Sequence, residues 1–440
     1  MKKYEKYINS KVDWIGQIPI HWEIIRIKHL FKEINERSFD GSEDLLSVSQ
    51  YTGVTNKTER LEEGVMLTNA STLEGYKKVS KNDLVSNIML AWNGSLGFSP
   101  FDGITSPAYS IYRLKTNDIN RYFHYLLRTE LYKSEFKRNS SGVIESRLRL
   151  YTDDFFRIES ILPPIEEQNI IANFLDDKTA KIEQAIILKQ KQIELLKERR
   201  QILIHKAVTR GLNENVKLKD SGVEWIGEIP EHWEIVSKMK FISSMKARQG
   251  WQGLKVNEYT DEGPYVLSSA HYNNHIIDWS KCPRVSIKRY LMDENIQLKI
   301  GDILLMKDGA NMGKLAFVES LPGLACLNSH LLLFRPIKKN EKPMYFQKFM
   351  FYHMMCQKFQ DYVKINGTGA TFLGISQESL GNYQISLPPL SEQKEIVKFI
   401  ENTTNKIAIA ISLKEQEIEK LKEYKMSLID GVVTGKIKIS

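Results

Sequence analysis

Two stretches of the chain carry a seam of residues whose spacing alternates between four and three. The first runs through Ile182, Ile186, Lys189, Ile193, Leu196, Arg200, Leu203 and Ala207. The second, 225 positions later, runs through Ile407, Ile411, Lys414, Ile418, Leu421, Lys425, Leu428 and Val432. A seven-residue seam predicts a long helix that buries one stripe against another helix. Apolar rungs stay apolar between the copies, and the two basic interruptions fall on the same rungs. Helix propensity alone would not keep that register. Each stretch opens after a Pro-Pro pair, with Glu166, Glu167 and Glu392 suiting the positive end of a helix dipole, and each closes near a glycine, Gly211 or Gly435. Each helix could pack on its own domain. The sharper expectation is that the two stripes bury one another. Because both halves run domain-then-helix, pseudo-two-fold pairing makes the helices antiparallel.

The duplication extends beyond the helices. Ser10 through Ile24 returns at Ser221 through Ile235, with eleven of fifteen residues identical. Trp14 and Trp22 match Trp225 and Trp233, so four of the seven tryptophans lie in this repeat. Leu162-Pro163-Pro164-Ile165-Glu166-Glu167-Gln168 is matched by Leu387-Pro388-Pro389-Leu390-Ser391-Glu392-Gln393. Between these anchors the two halves share little. The expected fold class is therefore α+β. Two globular α/β domains are separated by two long helices pairing as an antiparallel coiled coil, with a pseudo-two-fold internal repeat.

Composition narrows the function. Lys and Arg number 62 against 54 Asp and Glu, a net charge of +8 that is compatible with a nucleic-acid partner without requiring one. Cys282, Cys326 and Cys356 are far apart, which argues against a disulfide framework and for a reduced compartment. There is no apolar segment after Met1-Lys2-Lys3 and no run long enough to span a membrane, so a cytoplasmic location is expected.

No catalytic centre stands out, and no metal site is expected. Gly309-Ala310-Asn311-Met312-Gly313-Lys314 and Gly431-Val432-Val433-Thr434-Gly435-Lys436 echo a phosphate-binding loop. Each has three residues between its glycines and no Ser or Thr after the lysine. The Pro-Pro pairs lack the flanking residues of amino-methyltransferases and are read as helix starts. His21 and His232 recur without a carboxylate or cysteine cluster in the sequence, which favours packing beside the repeated tryptophans. His271 and His275 are a weak zinc pair.

The repeated order Trp-Ile-Gly-x-Ile-Pro-x-His-Trp-Glu, variable region, Leu-Pro-Pro-x-x-Glu-Gln and heptad helix resembles the specificity subunit of Type I restriction–modification systems, over essentially the whole chain. Asn82 to Gly97 with Gly103 to Tyr109, and Gly301 to Leu304 with Asp308 to Lys314, are similar to two classes of that family's target-recognition domains. The resemblance implies four segments. Residues 1–162 hold the N-terminal segment and first recognition domain, 163–212 the central helix, 213–387 the repeated entry segment and second recognition domain, and 388–440 the C-terminal helix. It also implies a non-catalytic subunit whose domains each read half of a bipartite, asymmetric site in double-stranded DNA. The helices would dock methyltransferase subunits, two of them, with restriction subunits joining that core. No cofactor is expected on this chain; S-adenosylmethionine, ATP and Mg would sit on the partners. A related system with a fused nuclease–methyltransferase partner, and a protein-only coiled-coil adaptor, are the alternatives.

Base reading needs polar side chains on loops, and positioning needs cations on phosphates. The first variable region offers Lys137, Arg138 and Asn139 before Ser140-Ser141-Gly142, then Arg147 and Arg149. The second offers Lys364, Asn366, Thr368 and Thr371 in the equivalent place, and Lys246, Arg248, Gln249 and Gln252 near its start.

Overall fold

The computed structural model describes residues 2–50, 52–57, 72–144, 147–233, 235–247, 254, 258–369 and 373–439. The chain forms two compact units: residues 1–190 with 414–440, and residues 191–413.

The same elements occur in the same order in both halves. The first half contains β1 (Glu23–Arg26), β2 (Phe31–Ile34), β3 (Leu84–Asn87), β4 (Leu96–Phe98), β5 (Tyr109–Leu114), α1 (Asn120–Leu126), α2 (Glu130–Arg138), β6 (Glu159–Leu162) and the long α3 (Ile165–Arg210). The second contains β7 (Ile235–Lys238), β8 (Ser243–Lys246), β9 (Ile303–Met306), β10 (Leu315–Phe317), β11 (Leu331–Pro336), α4 (Gln347–Met355), α5 (Gln357–Ile365), β12 (Gln384–Leu387) and the long α6 (Leu390–Val433).

Each unit is built on a four-stranded antiparallel sheet, ordered β2-β5-β3-β4 in the first and β8-β11-β9-β10 in the second. Registers correspond: Tyr112 lies opposite Leu84 and Leu84 opposite Phe98, as Phe334 lies opposite Ile303 and Ile303 opposite Phe317. A second pair, β1 with β6 and β7 with β12, returns the chain from the variable region to its long helix. The second unit adds a small sheet in which Tyr259–Leu267 runs parallel to Ala325–Leu327.

One buried ion pair ties each sheet together. The Arg113 guanidinium grips both Asp83 oxygens, at 2.7 and 2.8 Å, linking β5 to the residue before β3. Arg335 grips Asp302 in the same way, at 2.6 and 2.7 Å. Both carboxylates are almost wholly buried and also accept a backbone N–H, from Ser80 and Lys299. Two oxygens with several donors satisfy what burial would otherwise leave unpaired. This pairing is the physical content of the Asn82-Asp83-Leu84-Val85 and Gly301-Asp302-Ile303-Leu304 segments.

The Leu-Pro-Pro-x-x-Glu-Gln motif is a helix start that also docks the domain. Buried Gln168 donates to the Pro163 carbonyl at 2.9 Å and accepts from the Ile119 N–H at 2.9 Å, at the head of α1. Gln393 does the same with Pro388 and Phe346, at the head of α4. Glu167 receives the Trp22 indole N–H at 2.9 Å and lies 2.8 Å from His21 Nε2; Tyr4 also bonds it. Glu392 receives Trp233 at 3.2 Å and lies 2.8 Å from His232 Nε2. Each histidine shares one carboxylate with the tryptophan that follows it. The carboxylate that the linear sequence lacked arrives from the helix start, as a hydrogen-bonding clamp.

The helices meet within each unit. In the first, Ile182 packs in one core with Leu428, Val432 and Val433, flanked by Ile186 and Leu421. Lys189 pairs with Glu417 at 2.6 Å and Lys425 with Glu183 at 2.5 Å, so the segments run antiparallel there. In the second, Ile204, Ala207 and Val208 share a core with Ile396, Val397 and Ile400. Along the seam, Ile193, Ile407 and Ile418 are buried, while Leu196, Leu203 and Ile411 are half-buried. Lys189 and Lys425 snorkel past apolar neighbours to acids on the facing helix.

The helices stop on the repeated tryptophan segments. Gly211 and Gly435 both have positive φ, 74° and 76°. A Cβ on Gly435 would lie 2.5 Å from Pro19 Cδ, and one on Gly211 would lie 2.9 Å from a Glu392 oxygen. Glycine thus meets a conformational and a steric demand together. In the first unit the chain ends also join: Tyr7 Oη donates to the Gly435 carbonyl at 3.1 Å, and Lys438 N–H to the Lys2 carbonyl at 2.9 Å.

Candidate nucleic-acid interface

One end of each sheet gathers the candidate residues. In the first unit β3 ends at Asn87, and residues 88–95 turn through Ala91-Trp92-Asn93-Gly94 before β4. Gly94 closes that turn with φ 91°. In the second unit β9 ends at Met306, and residues 307–314 turn with Gly309 and Gly313 at φ 84° and 92°. Both turns leave the same edge of the same strand.

A second loop lies against each turn. Helix α2 ends at Arg138 and is closed by Asn139, whose side-chain N–H donates to the Glu135 carbonyl at 2.9 Å. Ser141 and Arg149 then exchange two backbone hydrogen bonds, and the Leu150 N–H reaches the Ile88 carbonyl at 2.8 Å. Helix α5 ends at Ile365, and Asn366 donates to the Tyr362 carbonyl at 2.9 Å. Thr368 and Gly374 exchange two backbone bonds of 2.9 Å, and the Ile375 N–H reaches the Lys307 carbonyl at 2.8 Å. Two loops of unlike sequence are therefore built on one plan: an asparagine-capped helix, a pinched base, and an anchor on the turn beyond the central strand.

The structure thus brings the turn and the post-helix loop together in each unit. Lys137 lies over the Trp92 ring, 5.3 Å from its centroid. Arg138 is exposed and bonded to buried Glu135 at 2.7 Å. Arg147 and Arg149 are exposed on the far arm of the first loop. Lys364 and Thr368 are exposed on the second. Lys246 is exposed at the tip of β8, where Gln377 donates to the Met245 carbonyl at 3.1 Å, so it belongs to the same sheet end. Asn139 and Asn366 commit their side-chain N–H to capping. Arg248, Gln249, Gln252 and Thr371 lie outside the described residues.

Sequence reasoning did not single out His330. Its Nδ1 lies 2.5 Å from Asp308 Oδ1, and Lys307 Nζ lies 3.3 Å from the other Asp308 oxygen. This partly exposed cluster adds an acceptor to the second sheet end. The 22 positions that separate Asp308 from His330 hid it; only the pairing of Met306 with Leu331 makes them neighbours.

The chemistry of the other candidates is structural. Lys314 donates to the Ser269 and Tyr272 carbonyls, both at 2.7 Å, so its ammonium fastens backbone. Lys436 pairs with Asp430 at 2.8 Å at a helix end. His271 Nδ1 contacts Ser268, and His275 Nδ1 the Leu315 carbonyl at 2.9 Å. Among the described residues no group of three or more His, Cys, Asp or Glu is placed to hold a metal. Burial pushes His124 down to about 4 and His353 to about 3, and pushes the Cys282 and Cys356 thiols up to about 12. Desolvation dominates all four, as for groups packed in cores. Among the described residues no helix is long and apolar enough to cross a membrane.

Comparison with known proteins gives one answer. The family model for the Type I restriction modification DNA specificity domain matches twice, over residues 19–195 and 236–422. The Type I restriction enzyme MjaVIII specificity subunit of Methanocaldococcus jannaschii is 28% identical over 440 residues, covering 96% of this chain and 94% of that protein. A putative MjaX specificity subunit from the same organism is 27% identical, covering 99% and 98%. Among solved structures, a chain from work on complex assembly and conformational transition of the type I R-M system superposes with a TM-score of 0.69 at 15% identity, covering 96% of this chain and 99% of that one. The HsdS subunit from Thermoanaerobacter tengcongensis gives 0.57 at 14% identity, covering 96% and 98%.

Proposed function

Because the chain belongs to the Type I restriction modification DNA specificity family, we propose that each of its two units reads one half of a bipartite, asymmetric site in double-stranded DNA. The chain is the specificity subunit, a non-catalytic component of a restriction–modification complex. The observation that carries the two-reader proposal is the repeated sheet end. Two unlike loops, Ser141–Arg149 and Thr368–Gly374, are held by the same backbone bonds beside the same turn. A constant frame with variable contents is what two readers of different sequences require. Lys137, Arg147, Arg149, Lys246 and Lys364 supply phosphate contacts, while Arg138, Thr368, Asp308 and His330 offer base-edge partners.

Docking of methyltransferase subunits, two per chain, falls to the long helices. Leu188, Leu195 and Ile202 recur every seven residues along α3 and are exposed, outside the seam that faces α6. A second apolar stripe on a paired helix fits a further helical partner. Restriction subunits join through that methyltransferase core. S-adenosylmethionine, ATP and Mg belong to those partner chains, and the complex is cytoplasmic, where its DNA lies.

Methylome sequencing of the host with and without this gene tests the proposal. One bipartite methylated motif should vanish with the gene. An unchanged methylome would overturn it.

A further inference from the structure

The first recognition loop carries an apolar tip among its cations. Val143 is 99% exposed and Ile144 52% exposed, and Met89 and Leu90 are exposed on the adjoining turn. Lys137, Arg138, Arg147 and Arg149 are exposed on the arms around them. A single exposed aliphatic residue needs no explanation. At the corresponding sheet end of the second unit, Ile365 at the close of α5 and Leu373 beside Gly374 are 80% and 53% exposed. Solvation alone would favour polar residues at such positions.

A protein partner and DNA are the two macromolecules such a tip could meet. The flanking charge decides between them, because a protein-docking patch has no need of four surrounding cations, whereas phosphates on either side of a groove do. In the major groove the one apolar feature of a base edge is the 5-methyl of thymine, and aliphatic side chains recognise it by contact. Val and Ile have no donor or acceptor to present to a base, so methyl contact is the reading open to them.

We propose that Val143 and Ile144 contact the thymine 5-methyl in the half-site read by the first unit. This rests on that unit being a DNA reader. The loop is held at its base, by Ser141 with Arg149 and by Leu150 with Ile88.

The test uses the full chain in complex with its methyltransferase partner, and duplex oligonucleotides carrying the motif found by methylome sequencing. Each thymine of the first half-site is replaced in turn by uracil, which lacks only the methyl. One replacement should weaken binding about fourfold, as expected for one methyl group removed from an apolar contact. A Val143→Ala/Ile144→Ala double variant should bind thymine and uracil duplexes equally. Its response to changes in the second half-site should stay as in the parent. Tolerance of uracil at every thymine, an undiminished preference in the double variant, or a first half-site made only of G·C pairs would overturn the proposal. So would a double variant with unaltered DNA preference that fails to assemble, since the tip would then be a protein contact. If Arg147→Ala and exchange of the whole domain also leave the first half-site unchanged, it is the DNA-reader assignment that has failed.

Discussion

The Trp22 indole donates to Glu167 across 145 residues of chain, at 2.9 Å. That bond fastens the entry segment of the first unit to the start of its long helix. Trp233 and Glu392 repeat it in the second unit at 3.2 Å. Removing the acceptor leaves a buried indole N–H, the Tyr4 hydroxyl and His21 without their shared partner. Glu167→Ala should therefore lower stability by about 2–3 kcal/mol, and Glu392→Ala by a similar amount. Chemical denaturation of the two variants checks this; unchanged midpoints would show that the clamp is incidental.

The Arg335–Asp302 pair predicts an asymmetry between breaking and replacing. Arg335→Ala strands a buried carboxylate and should cost about 3–5 kcal/mol. Replacing both partners by apolar residues of similar volume should recover most of that loss. Unfolding of the single and double variants gives the comparison, and equal losses would mean that burial of Asp302 is relieved by solvent.

Desolvated histidines make stability fall with acid. The folded-state value of His124 is depressed to about 4 by burial, from an ordinary value of 6.5. Its contribution is fully present above pH 6.5 and is lost as pH falls toward 4, because the unfolded chain binds the proton first. The full loss is about 3 kcal/mol. His124→Gln should flatten the unfolding free energy between pH 6.5 and 4 relative to the parent. A variant with the parent's slope would place the proton uptake elsewhere.

Arg147 is exposed on the loop anchored to the β3 turn. Arg147→Ala should leave assembly intact and weaken DNA binding. Loss of one phosphate contact should reduce the salt dependence by a slope of about one. Binding titrations at several salt concentrations read both; no change in affinity or slope removes Arg147 from the interface.

Exchange of residues 25–160 for those of another family member should change one half-site and spare the other. The cuts fall in β1 and β6, which pair with each other from Arg26–Glu159 to Glu23–Leu162, so the exchanged piece enters and leaves through one ladder. Methylome sequencing decides, and alteration of both half-sites would contradict independent reading.

Much of this architecture was legible in the sequence because repetition preserves register. The heptad seam, the tryptophan segments and the Pro-Pro starts all recur, and a fixed offset turns a weak local signal into a strong one. The partners of those residues were not legible. Nothing in the order of residues links Asp83 to Arg113, or His21 to Glu167, because strand pairing and helix docking bring them together over 30 and 146 positions. The interface was half-visible for the same reason. Arg147 and Lys364 stood out as basic residues near glycines, while Val143 and Ile144 carry no polar signal in the sequence and are marked only by their exposure.

The meeting of Lys2 with Lys438, and of Tyr7 with Gly435, closes the first unit into a ring of contacts. The join occupies, in the first unit, the place that the linker after Gly211 occupies in the second. A chain read from the second half onward, with a bridge joining the Lys438 strand to the Lys2 strand and new ends near Asn213, would trace the same ladder of contacts. Opening the chain at either junction would leave each unit with all of its internal contacts.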